Sequence, residues 1–191
     1  CSGANAIDIN NDGWMDIYVC RTAFPFEKLR KNLLLINQKD GTFEDEAQSY
    51  GLDDSAYSTQ SGFFDFDRDG DLDMLLINHS IPEYSKGNLE IFKLKSKKDP
   101  AITNKLYENR NGKYVDISQQ AGIEGNVLSF SLGLNISDFN NDGFDDIFIS
   151  NDFNEPDYLF INQKNGTFLN EADQWFDNMS MFSMGTDAAD I

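Results

Sequence analysis

Asp65-Phe66-Asp67-Arg68-Asp69-Gly70-Asp71-Leu72-Asp73 packs five carboxylates into nine residues and runs directly into the apolar Met74-Leu75-Leu76-Ile77. The spacing recurs twice. Asp8-Ile9-Asn10-Asn11-Asp12-Gly13-Trp14-Met15-Asp16 precedes Ile17-Tyr18-Val19, and Asp138-Phe139-Asn140-Asn141-Asp142-Gly143-Phe144-Asp145-Asp146 precedes Ile147-Phe148-Ile149. Oxygen-bearing side chains stand at positions 1, 3, 5 and 9 of each copy, and glycine at position 6 permits a sharp turn. This is how a short loop wraps a hard cation in oxygens. The candidate side-chain ligands are Asp8, Asn10, Asp12 and Asp16, then Asp65, Asp67, Asp69 and Asp73, then Asp138, Asn140, Asp142 and Asp146. Position 7 is expected to offer a backbone carbonyl, from Trp14, Asp71 and Phe144. Two carboxylates about 4 Å apart repel by roughly 4 kcal/mol at an effective dielectric near 20, so such a loop is unfavourable without a cation. Calcium suits it better than magnesium, because calcium accepts about six to eight oxygens in flexible geometry. Three such sites are expected.

An EF-hand would place a bidentate glutamate at loop position 12 and a helix on each side. Position 12 here is Val19, Leu76 and Ile149, none of which binds a metal. The residues after each loop are β-branched, aromatic or long aliphatic in short runs, which suits a buried strand. The pattern therefore reads strand, metal loop, strand.

A second motif recurs between the loops. Asn32-Leu33-Leu34-Leu35-Ile36-Asn37-Gln38-Lys39-Asp40-Gly41-Thr42-Phe43 matches residues 157–168, and residues 104–114 more loosely. Asp-Gly or Asn-Gly between apolar runs is a strong hairpin signal, since both residues tolerate positive φ. Each repeat thus has four strands, expected near 2–8, 16–20, 32–38 and 42–47, then 59–65, 73–78, 104–109 and 113–118, then 130–138, 146–150, 157–163 and 167–172. Residues 182–191 align with 130–139 and stop where another acidic loop would open. Four-stranded units repeating at about 50 residues are blades of a β-propeller, which closes with about four to eight of them. The expectation is all-β: blades of four antiparallel strands over 2–47, 58–118 and 128–172, the first strand of a fourth over 182–191, and an acidic loop between the first and second strands of each blade. Because three blades and one strand do not close a ring, the chain is read as part of a larger propeller.

Gly51-Leu52 and Gly122-Ile123 recur after the fourth strands as turn signals. The insertions 21–31, 80–103 and 151–156 all leave a second strand, on the side opposite the acidic loops. Long loops on a rigid scaffold are where recognition usually sits. The largest carries Lys86, Lys93, Lys95, Lys97 and Lys98 and is read as a solvated loop, with binding of an anionic glycan or partner as the other reading.

The composition is that of a globular chain, 40% hydrophobic with sixteen phenylalanines, and the net charge is −18. That charge argues against binding nucleic acid or an anionic membrane by simple electrostatics. No run of about eighteen apolar residues spans a membrane. Cys1 is read as following an internal cut rather than as a lipidated first residue. Pairing Asp8 with Asp16 would set Cys20 opposite Ala4, near Cys1. A Cys1–Cys20 bridge is one reading, and a reduced Cys20 buried at a strand end is the favoured one.

The acidic loops at 8–19, the Asn-Gly-Thr-Phe hairpin at 165–168 and Phe-Ser-Met-Gly at 182–185 resemble the FG-GAP or VCBS repeat superfamily. Its best-known members are the integrin α-subunit propeller and the cartilage acidic protein group, and this chain looks like VCBS-repeat proteins of Bacteroidetes surfaces. It lacks a literal Phe-Gly and Gly-Ala-Pro sequence. Loops 8, 65 and 138 match the family's calcium positions, and Asp190 matches the first ligand of a further one. The resemblance implies a calcium-stabilised extracellular or outer-membrane-associated propeller that binds a protein or glycan, not an enzyme. A surface uptake or secretion complex is one context for it. The alternative is the propeller part of a polysaccharide-active, lyase-like enzyme. That needs a base in an anionic-sugar groove, and the single histidine, His79, reads better as a loop residue.

Overall fold

A computed structural model describes residues 2–22, 26–81, 91–123 and 125–189. Twelve strands form three antiparallel sheets, each ordered as in the sequence. The first holds β1 (Gly3–Ile7), β2 (Asp16–Cys20), β3 (Leu33–Asn37) and β4 (Phe43–Asp45). The second holds β5 (Ser58–Phe64), β6 (Asp73–Asn78), β7 (Lys105–Asn109) and β8 (Tyr114–Asp116). The third holds β9 (Ser131–Ser137), β10 (Asp146–Asn151), β11 (Tyr158–Asn162) and β12 (Phe168–Asn170). These are consecutive propeller blades. The outermost strands are shorter than expected because Asp45, Asp116 and Asn170 each accept a hydrogen bond from the backbone N–H two residues on, at 3.1, 3.0 and 3.2 Å. Such side-chain turns divert the chain from the ladder, here into the helical turns Ala47–Tyr50, Ser118–Ala121 and Ala172–Trp175.

The register corrects one expectation. Asp16 faces Ile7, and Cys20 faces Gly3, one residue from the Asp8–Asp16 pairing. Blades two and three agree, with Asp73 opposite Phe64 and Asp146 opposite Ser137. The first aspartate of each loop has already left the ladder to gather loop N–H groups. Cys20 is a free, fully buried thiol, and burial pushes its pKa up to about 12. Cys1 lies outside the described residues.

Apolar side chains on alternate strand positions join the blades face to face. Leu34, Ile36, Tyr18 and Leu52 of the first pack on Met74, Leu76, Tyr107 and Tyr114 of the second. Leu75, Ile77 and Leu106 of the second pack in turn on Ile147, Ile149 and Phe160 of the third. Each of these six is fully buried, worth about 1.5–3 kcal/mol relative to exposure. The innermost strands approach closely. A Cβ on Gly3 would lie 2.6 Å from the Thr59 carbonyl oxygen, and one on Gly62 would lie 2.5 Å from Ile136 Cδ1. Asn5, Ser61, Asn135, Thr186 and Asp187 line one cavity of about 330 Å³ that these strands share.

Residues 183–189 form no strand. The segment nonetheless repeats the contacts by which each blade begins. Phe182 bridges Asp152 as Phe130 bridges His79. Ser183 Oγ donates to Asp157 at 2.8 Å, while Asn32 donates to Ser58 and Asn104 to Ser131 at the corresponding places, at 3.0 and 3.1 Å. Asp190 and Ile191 lie outside the described residues.

The large insertion is more than a solvated loop. A short helix, Ile91–Lys95, and the chain after it bring Leu94, Ala101 and Ile102 onto Tyr57, Ile81 and Val127. Lys93, Lys95, Lys97 and Lys98 remain exposed above this small core, and Lys86 lies outside the described residues. Among the described residues no helix is long and apolar enough to cross a membrane.

Candidate metal centre

Each acidic loop links the first two strands of a blade. No helix follows it. Position 4 takes positive φ (Asn11 55°, Arg68 63°, Asn141 57°), as does the glycine at position 6 (86°, 97° and 93°). These turns aim backbone N–H groups at the loop's own side chains. Asp8 accepts from Asp12 and Gly13 at 3.0 and 2.9 Å, and Asp138 accepts from Asp142 and Gly143 at 3.0 and 2.7 Å. Position 5 accepts from the N–H of position 7 in all three loops, through Asp12, Asp69 and Asp142.

The aspartate at position 9 also has a structural role. Asp16, Asp73 and Asp146 are buried, and one oxygen of each accepts from the N–H of Ile9, Phe66 or Phe139. The other accepts from Asn37, Asn109 or Asn162 at 2.8 Å, which ties the loop to the end of the third strand. The amide groups of those asparagines reach back to the carbonyls of Met15, Leu72 and Asp145, and Asn162 also donates to Phe66 of the preceding blade at 2.8 Å. In the sequence these asparagines read as parts of a hairpin alone. Their recurrence at the same place in the second motif was the available signal.

The three loops differ in charge balance. Asp65, Asp67 and Asp73 each bring a carboxylate oxygen within 4.8 Å of the others. Asp65 accepts from Gly70 through one oxygen, but its Oδ1 is buried without a hydrogen-bond partner, as is Asp71 Oδ1. A buried anionic oxygen without a donor is costly, and a cation relieves that cost, so the donor set fits a divalent ion. Burial pushes the Asp73 carboxyl up to about 7. Burial, with repulsion from neighbouring aspartates, also raises Asp67 and Asp71. In the flanking loops Lys39 Nζ lies 3.2 Å from Asp12, and Lys164 Nζ lies 3.2 Å from Asp142. Against the raising effect of burial, these ammonium groups and the loop's own donors hold Asp12 and Asp142 below the usual carboxylate range.

The opposite ends of the blades carry aromatic rings. His79 Nδ1–H donates to the Ser80 carbonyl at 2.7 Å, and Nε2 accepts from Thr22 Oγ1 at 2.6 Å. Burial lowers its pKa. His79 stacks between Tyr57 and Phe130, at 5.6 and 5.2 Å between ring centroids. The row continues from Phe130 to Phe153 and Phe182, at 5.2 and 6.4 Å.

A profile of the family described as FG-GAP-like repeat matches residues 8–76 and 138–191, more than half of the chain. The chain belongs to this family. The FG-GAP-like match takes in all three acidic loops and residues 182–191, and passes over 77–137, where the lysine-bearing insertion lies. A comparison with curated protein sequences returned no match. Among solved structures, this FG-GAP-like chain is similar to an Agrocybe aegerita lectin with specific recognition of non-reducing terminal N-acetylglucosamine. The identity is 15% and the TM-score 0.40, with 87% of this chain and 36% of that chain covered. The FG-GAP-like chain therefore spans about a third of that structure's length.

Proposed function

We propose that this chain is a calcium-stabilised propeller module of the extracellular or bacterial surface, outer-membrane associated, which binds a protein or glycan partner and catalyses no reaction. The observation that carries the reading is the pair of buried, donorless carboxylate oxygens on Asp65 and Asp71, beside the convergence of Asp65, Asp67 and Asp73. In this reading Asp65, Asp67, Asp69 and Asp73 hold the ion in the middle loop. Asp8, Asn10, Asp12 and Asp16 do so in the first, and Asp138, Asn140, Asp142 and Asp146 in the third. The ion supplies positive charge that the loop's own N–H groups do not. Its role is structural, since each loop joins two strands and, through position 9, a third.

The partner face is the aromatic one. Phe153 is exposed and held at φ 69°, a conformation that costs of order 1–3 kcal/mol for such a residue and persists mainly where function or packing demands it. Phe153 and Phe182, the exposed rings of the row, offer apolar surface that suits the apolar face of a sugar or an apolar side chain. In this reading His79, hydrogen-bonded at both ring nitrogens and set between Tyr57 and Phe130, is a packing residue of the aromatic face.

Thermal melting in millimolar calcium and in chelator tests the proposal. Extracellular calcium modules bind at about 0.1–1 mM, and a site of about 0.1 mM in millimolar calcium adds about 1.4 kcal/mol. The melting midpoint should rise by several degrees. An unchanged midpoint rejects the structural ion.

A further inference from the structure

We propose that Lys39 and Lys164 are tethered counter-cations that compete with a divalent ion for the first and third loops, leaving the middle loop to fill at the lowest calcium concentration. This rests on the calcium reading above and goes beyond it by ranking the sites and naming the residues that rank them.

The two lysines stand at the same turn of two different hairpins, Lys39 between β3 and β4 and Lys164 between β11 and β12. Both have positive φ, 64° and 60°, and both backbone N–H groups donate to the preceding asparagine side chain at 2.9 Å. Those asparagines, Asn37 and Asn162, are the residues whose N–H groups hold the position 9 aspartates. One rigid connection therefore sets each lysine beside its loop. Each ammonium then lies 3.2 Å from Oδ2 of the position 5 aspartate, whose Oδ1 is taken by the N–H of position 7. An ion that used this carboxylate would have to displace or repel the ammonium.

The middle blade lacks the device. Asn111, neutral and at φ 58°, occupies the corresponding turn. The cations near it are directed elsewhere: Arg68 lies over the Phe144 ring at 4.6 Å, and Arg110 pairs with Glu108. Of the three acidic loops, this is the one with buried carboxylate oxygens that lack a hydrogen-bond donor, on Asp65 and Asp71.

The experiment is calorimetric titration of the full chain with calcium chloride, for the wild type, Lys39→Ala/Lys164→Ala and Asn111→Lys, with melting of each in chelator. The wild type should show one tighter step, which Asp65→Asn removes, followed by weaker ones. Removing both lysines should tighten the weaker steps by about two- to fivefold, the range of exposed ion pairs. It should also lower the melting point in chelator while enlarging the rise with calcium. Asn111→Lys should weaken the first step. Both lysine side chains are about half exposed (49% and 47%), so their removal leaves the core intact. Weak steps unchanged in the double variant, or a tight step that survives Asp65→Asn, overturn the ranking. No heat from the wild type overturns the calcium reading itself.

Discussion

The middle acidic loop and the two that flank it share a nine-residue spacing and a backbone course, yet they balance charge by different means. In loops one and three an ammonium from a hairpin of the same blade joins the loop's own hydrogen-bond donors, and together, against burial, they hold Asp12 and Asp142 low. Loop two adds carboxylates at positions 3 and 7 and receives no such partner, so Asp67 and Asp71 rise there, whereas burial raises the position 9 aspartate in loop three as well as in loop two. Conserving a loop's geometry is thus separable from setting its demand for an ion. The geometry comes from backbone N–H groups and a buried aspartate. The demand comes from the number of carboxylates in the loop and from whether a hairpin beside it supplies a counter-charge.

The largest expected effect would break the part of the comparison that treats the loops as alike. Asp16→Ala, Asp73→Ala and Asp146→Ala each leave two loop or strand N–H groups without an acceptor, which costs about 1–3 kcal/mol for each buried group left unsatisfied. Urea unfolding in chelator should show all three strongly destabilised. If none of the three is destabilised in chelator, position 9 is a metal ligand and not also a strut.

Next in size is the calcium increment. Asp65→Asn should remove the greater part of the rise in melting midpoint, while Asp8→Asn leaves most of it. Equal losses would erase the distinction between middle and flanking loops.

A pH series sharpens it further. The folded-state pKa of Asp73, about 7, lies above its ordinary value of 3.8, so the folded chain holds the proton more tightly than the unfolded chain. In chelator this group's contribution to stability should therefore fall as pH rises from about 4 to about 7, then level off. Asp12 and Asp142 are depressed, so their contribution is present above the ordinary carboxylate range and is lost on acidification below it. Urea midpoints in chelator at pH 5 and pH 8 measure the difference, with the higher stability expected at pH 5. Calcium should narrow the gap.

The smallest effect is at Phe153. Replacement by glycine removes the cost of its positive φ and opens the aromatic row, so it should leave the calcium increment unchanged while weakening partner capture. A changed increment would couple the two faces, which the present contacts do not.

Much of this was legible from residues close together in the chain. Asp8 to Asp16 and its two copies announced loops. Val19, Leu76 and Ile149 at position 12 exclude an EF-hand glutamate, the short apolar runs after each loop read as strands, and the Asn-Gly or Asp-Gly turns place the hairpins. The strand ladder slipped by one residue because Asp8 belongs to the loop's hydrogen bonds, which strand propensity does not reveal. The short outer strands were hidden for a similar reason, since Asp45, Asp116 and Asn170 divert the chain with single side-chain bonds.

The amino-acid order by itself determined the four-stranded repeat and the cation-type spacing, because strand alternation and loop ligation depend on neighbours a few residues apart. Only the folded molecule decided which carboxylates have a counter-charge, that position 9 is bolted to an asparagine at the end of the third strand, and that five rings from separate blades form one row. Those outcomes depend on distances across the blades, and electrostatic and packing energies follow separation in space rather than along the chain.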